Sequence, residues 1–237
     1  MSRTLILDIE TIGEEWENLD KMSQESLSAW IKNESKNEEE LANNMKNLRE
    51  GLGFSPLTGE IVAIGIHDYE RNKSAVYYQT GEKDEKKSEE EGALYEPVSE
   101  AKMLNKFWEI AQSYDSFVTF NGYQFDIPYI MVRSAVHGVR PTVNLMTNRY
   151  MSMQRGGKVH IDLQDQLSFY GALRRKGSLH MWTRAFGIKS PKSEEANGHA
   201  VAELYKEGRY LDIARYNLAD IRATSELYTK WFQFMKF

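Results

Sequence analysis

Cysteine is absent from the 237 residues, and proline occurs only five times. The first absence excludes disulfides, thiolate metal sites and a cysteine nucleophile. No apolar run approaches the ~20 residues that span a bilayer, and the opening Met-Ser-Arg-Thr-Leu lacks the long apolar stretch of a secretory signal. A chain with these gaps reads as a soluble, cytoplasmic protein that uses no membrane. Its length suits one domain over residues 1–237, with no internal repeat or linker. Basic charge is also short overall, with 30 Lys and Arg against 35 Asp and Glu, net −5. That total argues against a polyanionic partner until the chain is divided after Phe120. The first part carries 13 basic and 25 acidic residues, the second 17 and 10. Such asymmetry can mark a polyanion-binding face.

The apolar pattern predicts a mixed α/β sheet domain. Thr4 to Ile9, with Leu5-Ile6-Leu7 unbroken, reads as a buried strand ending at Asp8 and Glu10. Residues 13–53 change character: they are rich in Glu, Lys, Asn and Ser, and Leu27, Trp30, Ile31, Leu41, Met45 and Leu48 recur at helical spacing. This predicts a charged helical insertion after the first strand. Ile61 to His67, Ser74 to Thr80, Ser116 to Phe120 and Val159 to Leu163 read as further strands, and the charge run Gly81 to Gly92 as a solvated loop. Ser99 reads as an N-cap before the stripe Met103, Leu104, Phe107, Trp108 and Ala111. Pro128 suits the first turn of a helix running to about Gly138, and Gly187 and Gly208 suit helix stops.

Asp8-Ile9-Glu10 is the strongest chemical feature. In an extended chain, positions i and i+2 face the same side, so the two carboxylates share one space. Their repulsion invites a cation, and hard oxygen ligands favour Mg²⁺ or Mn²⁺ over zinc. Taken alone, the pair reads better as two solvated acids where a strand surfaces. Asp126 follows another predicted strand and precedes a helix, a position compatible with N-capping, metal binding or both. Tyr216 and Asp220 are spaced i, i+4 and share a helix face; the bland alternative is an exposed acid near Arg215 or Lys230 beside an amphipathic tyrosine.

Together these residues resemble the DnaQ-like 3′→5′ exonucleases with four acidic residues and a tyrosine, a DEDDy-type family of ribonuclease H-like fold. The first family motif, Asp-x-Glu, is similar to Asp8-Ile9-Glu10 with Thr11 after it. The second, Asn-x-x-x-Phe/Tyr-Asp, is similar to Asn121 through Phe125-Asp126, and the third, Tyr-x-x-x-Asp, to Tyr216 through Asp220. The histidine branch of the family carries its histidine five residues before the last aspartate, where this chain has Arg215. The resemblance is greatest to stand-alone relatives of the exonuclease domain of family B DNA polymerases. It implies a five-stranded mixed sheet flanked by helices. It also implies two Mg²⁺ or Mn²⁺ ions per site, held by Asp8, Glu10, Asp126 and Asp220, with Asp8 shared and Tyr216 orienting the attacking water. The implied reaction is hydrolysis of phosphodiesters at 3′ ends of single-stranded DNA or frayed duplexes, releasing nucleoside 5′-monophosphates. RNA as substrate, by the same chemistry, and a ribonuclease H-like nucleic-acid-binding adaptor without activity are the alternatives.

Further expectations surround this set. By resemblance Thr11 and Ile12 contact the terminal nucleotide, Asn121 contacts substrate or ties down its loop, and Phe125 serves as core or stacking platform. Arg174, Arg175 and Lys176, with Arg149, Arg155 and Lys158, are candidates for phosphate contacts. Asp162 reads as a buried, hydrogen-bonded or helix-capping aspartate. His160 and His199 read as structural or surface residues, because neither has metal-site spacing to another ligand. The acidic insertion and the C-terminal aromatic tail from Trp231 to Phe237 are candidate docking points for a protein partner.

Overall fold

The computed structural model describes residues 3–81, 86–189 and 198–236, with side chains in the last stretch described from Val201 onward. The His199 side chain, Phe237 and the centre of the charge run at 82–85 lie outside what is described. Seven strands form one sheet: β1 (Thr4–Gly13), β2 (Gly59–Asp68), β3 (Lys73–Tyr78), β4 (Ser88–Glu90), β5 (Ala93–Pro97), β6 (Ser116–Thr119) and β7 (Val159–Asp162). Their order is β4-β5-β3-β2-β1-β6-β7. The five strands expected from sequence are contiguous in it, from β3 to the β7 edge. β1, β2 and β3 pair antiparallel, whereas β6 and β7 run parallel to β1.

β4 corrects the reading of Gly81 to Gly92 as loop throughout, and β5 follows directly after that run. β5 adds in parallel to the β3 edge, and β4 folds back on it through a turn at Glu91 and Gly92, both at positive φ. Their signal is hidden because Ser88-Glu89-Glu90 is short and polar. Ion pairs compensate: Glu90 binds Arg215, and Glu91 binds Arg222, both on the last helix. Arg215 pairs with Asp212 as well.

Helices cover both sheet faces. α3 (Glu100–Ala111) and α4 (Asp126–Val136) pack Met103, Phe107, Trp108, Ile127 and Ile130 against Leu5, Leu7 and Ile9 of β1. On the other face lies α8 (Tyr210–Phe234), which sets Ile213, Leu218 and Ile221 on β2 and β3, and Leu227, Tyr228 and Trp231 on Ile6, Val118 and Ile161. Each such fully buried aliphatic side chain contributes about 1.5–3 kcal/mol over an exposed one. The aromatic tail therefore begins as core at Trp231, while Phe234 stands exposed. α5 (Leu163–Leu167), α6 (Leu179–Ala185) and α7 (Gly198–Lys206) complete the second half. Gly187 and Gly208 follow α6 and α7 at positive φ, the left-handed stop that glycine permits. No helix among the described residues is long and apolar enough to cross a membrane.

The 13–53 segment forms two helices, α1 (Lys21–Glu34) and α2 (Glu38–Glu50), capped by Asp20 and Asn37, whose side chains accept first-turn N–H groups. Its two ends meet at the tip of β1. A Cβ added to Gly13 would lie 2.8 Å from the Gly53 nitrogen, so the glycines permit backbone contact there. The segment thus leaves and rejoins the sheet at one point.

One buried ionic hub ties the first face together. Glu100, 3 % exposed, accepts from the Ile61 N–H at 2.9 Å, from Arg133 Nε and Nη2 at 2.8 and 2.6 Å, and bonds His137 Nε2 at 2.6 Å. Ser99 precedes α3 as expected but makes no side-chain cap bond.

His160 is likewise structural. Its Nε2 bonds Thr119 Oγ1 at 2.8 Å, and its Nδ1 lies 3.0 Å from the Leu145 carbonyl, so Nδ1 is the protonated nitrogen. Burial pushes the imidazole down to about 4. In the unfolded chain it charges below ~6.5, so its contribution to stability is complete above that pH and is lost as the pH falls toward 4. Glu100 acts in the same direction. Burial raises its carboxyl, but Arg133, Ile61 and His137 outweigh that and leave it below the ordinary range, so its contribution fades as the pH drops below ~4.5. Urea unfolding between pH 7 and 4 is expected to show a steep loss of stability. Replacing His160 with Gln should flatten the pH 6.5–4.5 part by about 3 kcal/mol; an unchanged slope would contradict the assignment.

Candidate active site

Strand alternation builds the site. Leu5, Leu7 and Ile9 enter the α3/α4 core, so Ile6, Asp8 and Glu10 face α8. β1 does not end at Ile9, as expected from sequence, but continues to Gly13 along β2. The acid pair therefore lies within a strand. What ends near it is the pairing with β6, whose last partners are Ile6 and Val118. Beyond that point Asp126 takes over, its Oδ1 accepting the Ile9 N–H at 3.1 Å. A bulge at Val62 separates the pairs Glu10–Ala63 and Thr11–Ile61 and turns the strand tip.

Above this strand, Tyr216, Asn217 and Asp220 occupy one face of α8. Asp8, Glu10 and Asp220 offer carboxylate oxygens that all lie within 4.8 Å of one another. Burial raises the Asp8 carboxyl well above its ordinary value, and the negative charges of Asp126, Glu10 and Asp220 add to the effect. Asp126, 2 % exposed, is pushed up to about 7, chiefly by burial. Tyr216 moves far above the ordinary phenol range through burial, the charges of Asp220, Glu10 and Asp8, and a hydrogen bond to Asp220. Close-set anionic oxygens that repel one another fit a hard divalent cation such as Mg²⁺ or Mn²⁺. Asp126, the fourth acid expected from sequence, lies outside that trio: one of its oxygens is committed to the Ile9 N–H, and its charge acts on Asp8.

The segment after β6 is held open by Asp162. Its carboxylate accepts the Asn121 N–H at 2.9 Å, the Tyr123 N–H at 3.1 Å and the Gln164 N–H at 3.0 Å, so it caps α5 and fixes the second motif at once. Asn121 adopts φ +66°, a left-handed conformation that asparagine tolerates. Gly122 has no alternative, because a Cβ there would lie 2.2 Å from Thr119 Oγ1. Phe125 packs against the core and meets Phe54 and Tyr129 at ring distances of 6.4 and 5.5 Å.

The remaining sequence candidates divide. Thr11 and Ile12 line a cavity of about 350 Å³ between the strand tip and the 13–53 segment, alongside Trp16, Arg49, Phe54 and Lys206. The Thr11 hydroxyl donates to the Gly53 carbonyl at 2.8 Å. Arg174, Arg175 and Lys176 are exposed on the loop before α6. Two further phosphate-contact candidates have partners within the protein. Arg149 forms a two-pronged ion pair with Asp165. Lys158 donates to the Gln112 carbonyl at 2.9 Å and to that of Tyr114, at the opposite end of β7 from Asp162. Sequence reasoning missed Asn217, which donates to Asp8 Oδ2 at 2.9 Å and to Glu10 Oε1 at 3.4 Å. Its i, i+3 spacing to Asp220 was the available signal.

Comparison with known proteins follows the same geometry. The DNA polymerase of Pyrococcus glycovorans is 26 % identical over 142 residues, covering 56 % of this chain and 18 % of that polymerase. The DNA polymerase of Desulfurococcus sp. (strain Tok) is 29 % identical over 152 residues, with the same coverage of each. The chain thus spans under a fifth of these relatives. The family B DNA polymerase of Pyrobaculum calidifontis matches in structure with a TM-score of 0.62 at 18 % identity, over 98 % of this chain and 25 % of that one. That likeness concerns the fold, a ribonuclease H-like α/β arrangement. A family model described as a predicted 3′-5′ exonuclease related to the exonuclease domain of PolB matches residues 60–236. Asp126, Tyr216 and Asp220 fall inside the match, while Asp8 and Glu10 precede it and reach the site through β1. The chain belongs to this family of PolB-related predicted 3′-5′ exonucleases.

Proposed function

We propose that this protein is a divalent-metal-dependent 3′→5′ exonuclease that hydrolyses terminal phosphodiesters of single-stranded DNA or frayed duplex ends, releasing nucleoside 5′-monophosphates. One observation carries the reading: the carboxylate oxygens of Asp8, Glu10 and Asp220 converge within 4.8 Å beside Tyr216, in a chain of this family. Asp8, Glu10 and Asp220 would hold one ion, and Asp8 with Asp126 a second. Such a pair of ions, when bound, activates water and offsets charge on the leaving oxygen.

The chain's own contributions are positional. Asp126 locks to the Ile9 backbone, so α4 and β1 hold the acids in fixed relation. Tyr216 keeps its proton at any physiological pH, because burial and three nearby carboxylates oppose phenolate formation. With its one O–H given to Asp220, the hydroxyl oxygen would accept from the attacking water and orient it, a positioning role and not that of a general base. Thr11 and Ile12 border the cavity where a terminal nucleotide would enter, Phe125 backs it through its contact with Phe54, and Asn121 is a further candidate for substrate contact from the loop after β6. Arg174, Arg175 and Lys176 are the exposed cations available to the phosphate backbone.

Two experiments test this. With 3′-labelled single-stranded DNA and Mn²⁺, the labelled product should co-migrate with a nucleoside 5′-monophosphate; oligonucleotide or 3′-monophosphate products would overturn the reading. Tyr216→Phe should lower kcat by ~10²-fold, within the range of a positioned proton-handling group, while Mn²⁺ affinity stays at the wild-type value. Wild-type kcat in that variant would remove the hydroxyl from the mechanism.

A further inference from the structure

Asn217 sits against Asp8 and Glu10 with no exposed surface. Its amide nitrogen contacts Asp8 Oδ2 at 2.9 Å and Glu10 Oε1 at 3.4 Å. Ionised carboxylates only accept hydrogen bonds, so the NH₂ group must face them and the carbonyl must point away. That carbonyl, Asn217 Oδ1, is buried without a hydrogen-bond partner. The space it occupies exists because of Gly65, the residue opposite Asp8 on β2. A Cβ on Gly65 would fall 1.9 Å from Oδ1, an impossible contact. An asparagine that served only to pack α8 on the sheet could be replaced by an apolar residue without stranding a buried carbonyl. The orphaned oxygen indicates that the other end of the amide is what matters.

We infer that Asn217, seated on Gly65, is a positioning residue for the metal site. Its two N–H groups bridge Asp8 and Glu10, offset part of their repulsion, and fix which oxygen of each remains directed at an incoming cation. A group that hydrogen-bonds a ligating carboxylate typically governs metal affinity by 10- to 100-fold. Asn217 thus acts through Asp8 and Glu10 and touches neither substrate nor reacting atoms. This rests on the proposed metal-dependent reading.

The test is Mn²⁺ binding to the full chain by titration calorimetry and electron paramagnetic resonance, with thermal unfolding measured in EDTA. Three variants are compared: Asn217→Leu, Asn217→Ser and Gly65→Ala. The leucine removes both donors at similar volume. The serine hydroxyl is too short to bridge the acids. The alanine leaves every polar group in place and displaces the amide from its seat. Each folded variant is expected to bind Mn²⁺ ~10-fold or more weakly than wild type. The Mn²⁺ concentration for half-maximal cleavage should rise in parallel, with kcat at saturating Mn²⁺ within several-fold. Should the leucine variant fail to fold, the other two decide. Mn²⁺ affinity within ~2-fold of wild type in a folded variant would overturn the role of Asn217 while leaving the exonuclease reading intact. Absence of Mn²⁺ binding by wild type itself would overturn both.

Discussion

Asp8→Ala is expected to lose exonuclease activity by on the order of 10³-fold or more. Asp8 is the acid that both proposed ions share, so its removal withdraws a ligand from each. Metal-ion stabilisation of phosphoryl transfer is worth several kcal/mol, and each 1.36 kcal/mol is tenfold in rate. The same substitution should not destabilise the metal-free protein. Asp8 is half-buried, and desolvation together with the charges of Asp126, Glu10 and Asp220 raises its carboxyl. Deleting one member of that set relieves repulsion, and Asn217 retains its contact with Glu10. In EDTA the variant should melt at or above the wild-type temperature, and Mg²⁺ should stabilise wild type far more than the variant. Activity within tenfold of wild type, or melting well below it in EDTA, would contradict the assignment.

Glu100→Ala should produce the largest loss of stability. The carboxylate satisfies Arg133, the Ile61 N–H and His137 together, linking α3, α4 and β2 beneath the sheet. Its removal leaves a mostly buried guanidinium unpaired and a backbone donor in the core without an acceptor. Breaking a buried pair from one side costs about 3–5 kcal/mol, which for a chain of this size lowers Tm by roughly 10 °C. Removing the pair together, as Glu100→Leu with Arg133→Met, should recover much of that loss, because well-packed apolar residues avoid the desolvation cost. Urea unfolding of the three proteins measures both effects. A loss below about 1 kcal/mol in Glu100→Ala would show that the pair behaves as an exposed surface bridge.

Local patterns in the chain revealed most of the central sheet. Leu5-Ile6-Leu7 and Ile61 to Ile66 are apolar because they are covered on both faces, and such runs announce themselves. β4 and β5 were hidden because their stability comes from partners distant in sequence: an open edge of β3, and the cations Arg215 and Arg222 on α8. The length of β1 was hidden for a related reason. Asp8 and Glu10 look like a strand end, yet pairing with β2 carries the strand past them to Gly13. The candidate site was legible where spacing constrains geometry, as in the two-residue alternation of Asp8 and Glu10 and the four-residue spacing of Tyr216 and Asp220. Asp162 was legible as a capping aspartate, but its hold on Asn121 and Tyr123 spans some forty residues and required the fold. Asn217 lay inside the third motif and still escaped notice, because its significance depends on a glycine on a different strand. The ion pairs that engage Arg149 and Arg215 show why exposed cations are poor predictors of phosphate contacts: the partner that occupies each is set by tertiary structure.

The central claim is that the acids gathered by β1, α4 and α8 remove nucleotides from 3′ ends. It is tested most directly by incubating the purified chain with 5′-labelled single-stranded DNA, and in parallel RNA of the same sequence, in Mg²⁺, Mn²⁺ or EDTA, beside Asp8→Ala. The account predicts a ladder on DNA that shortens one nucleotide at a time from the 3′ end, requires the divalent ion, and vanishes in the variant. A ladder on RNA alone would keep the chemistry and reassign the substrate. No ladder on either nucleic acid with either ion, or one that persists in EDTA or in Asp8→Ala, would contradict it.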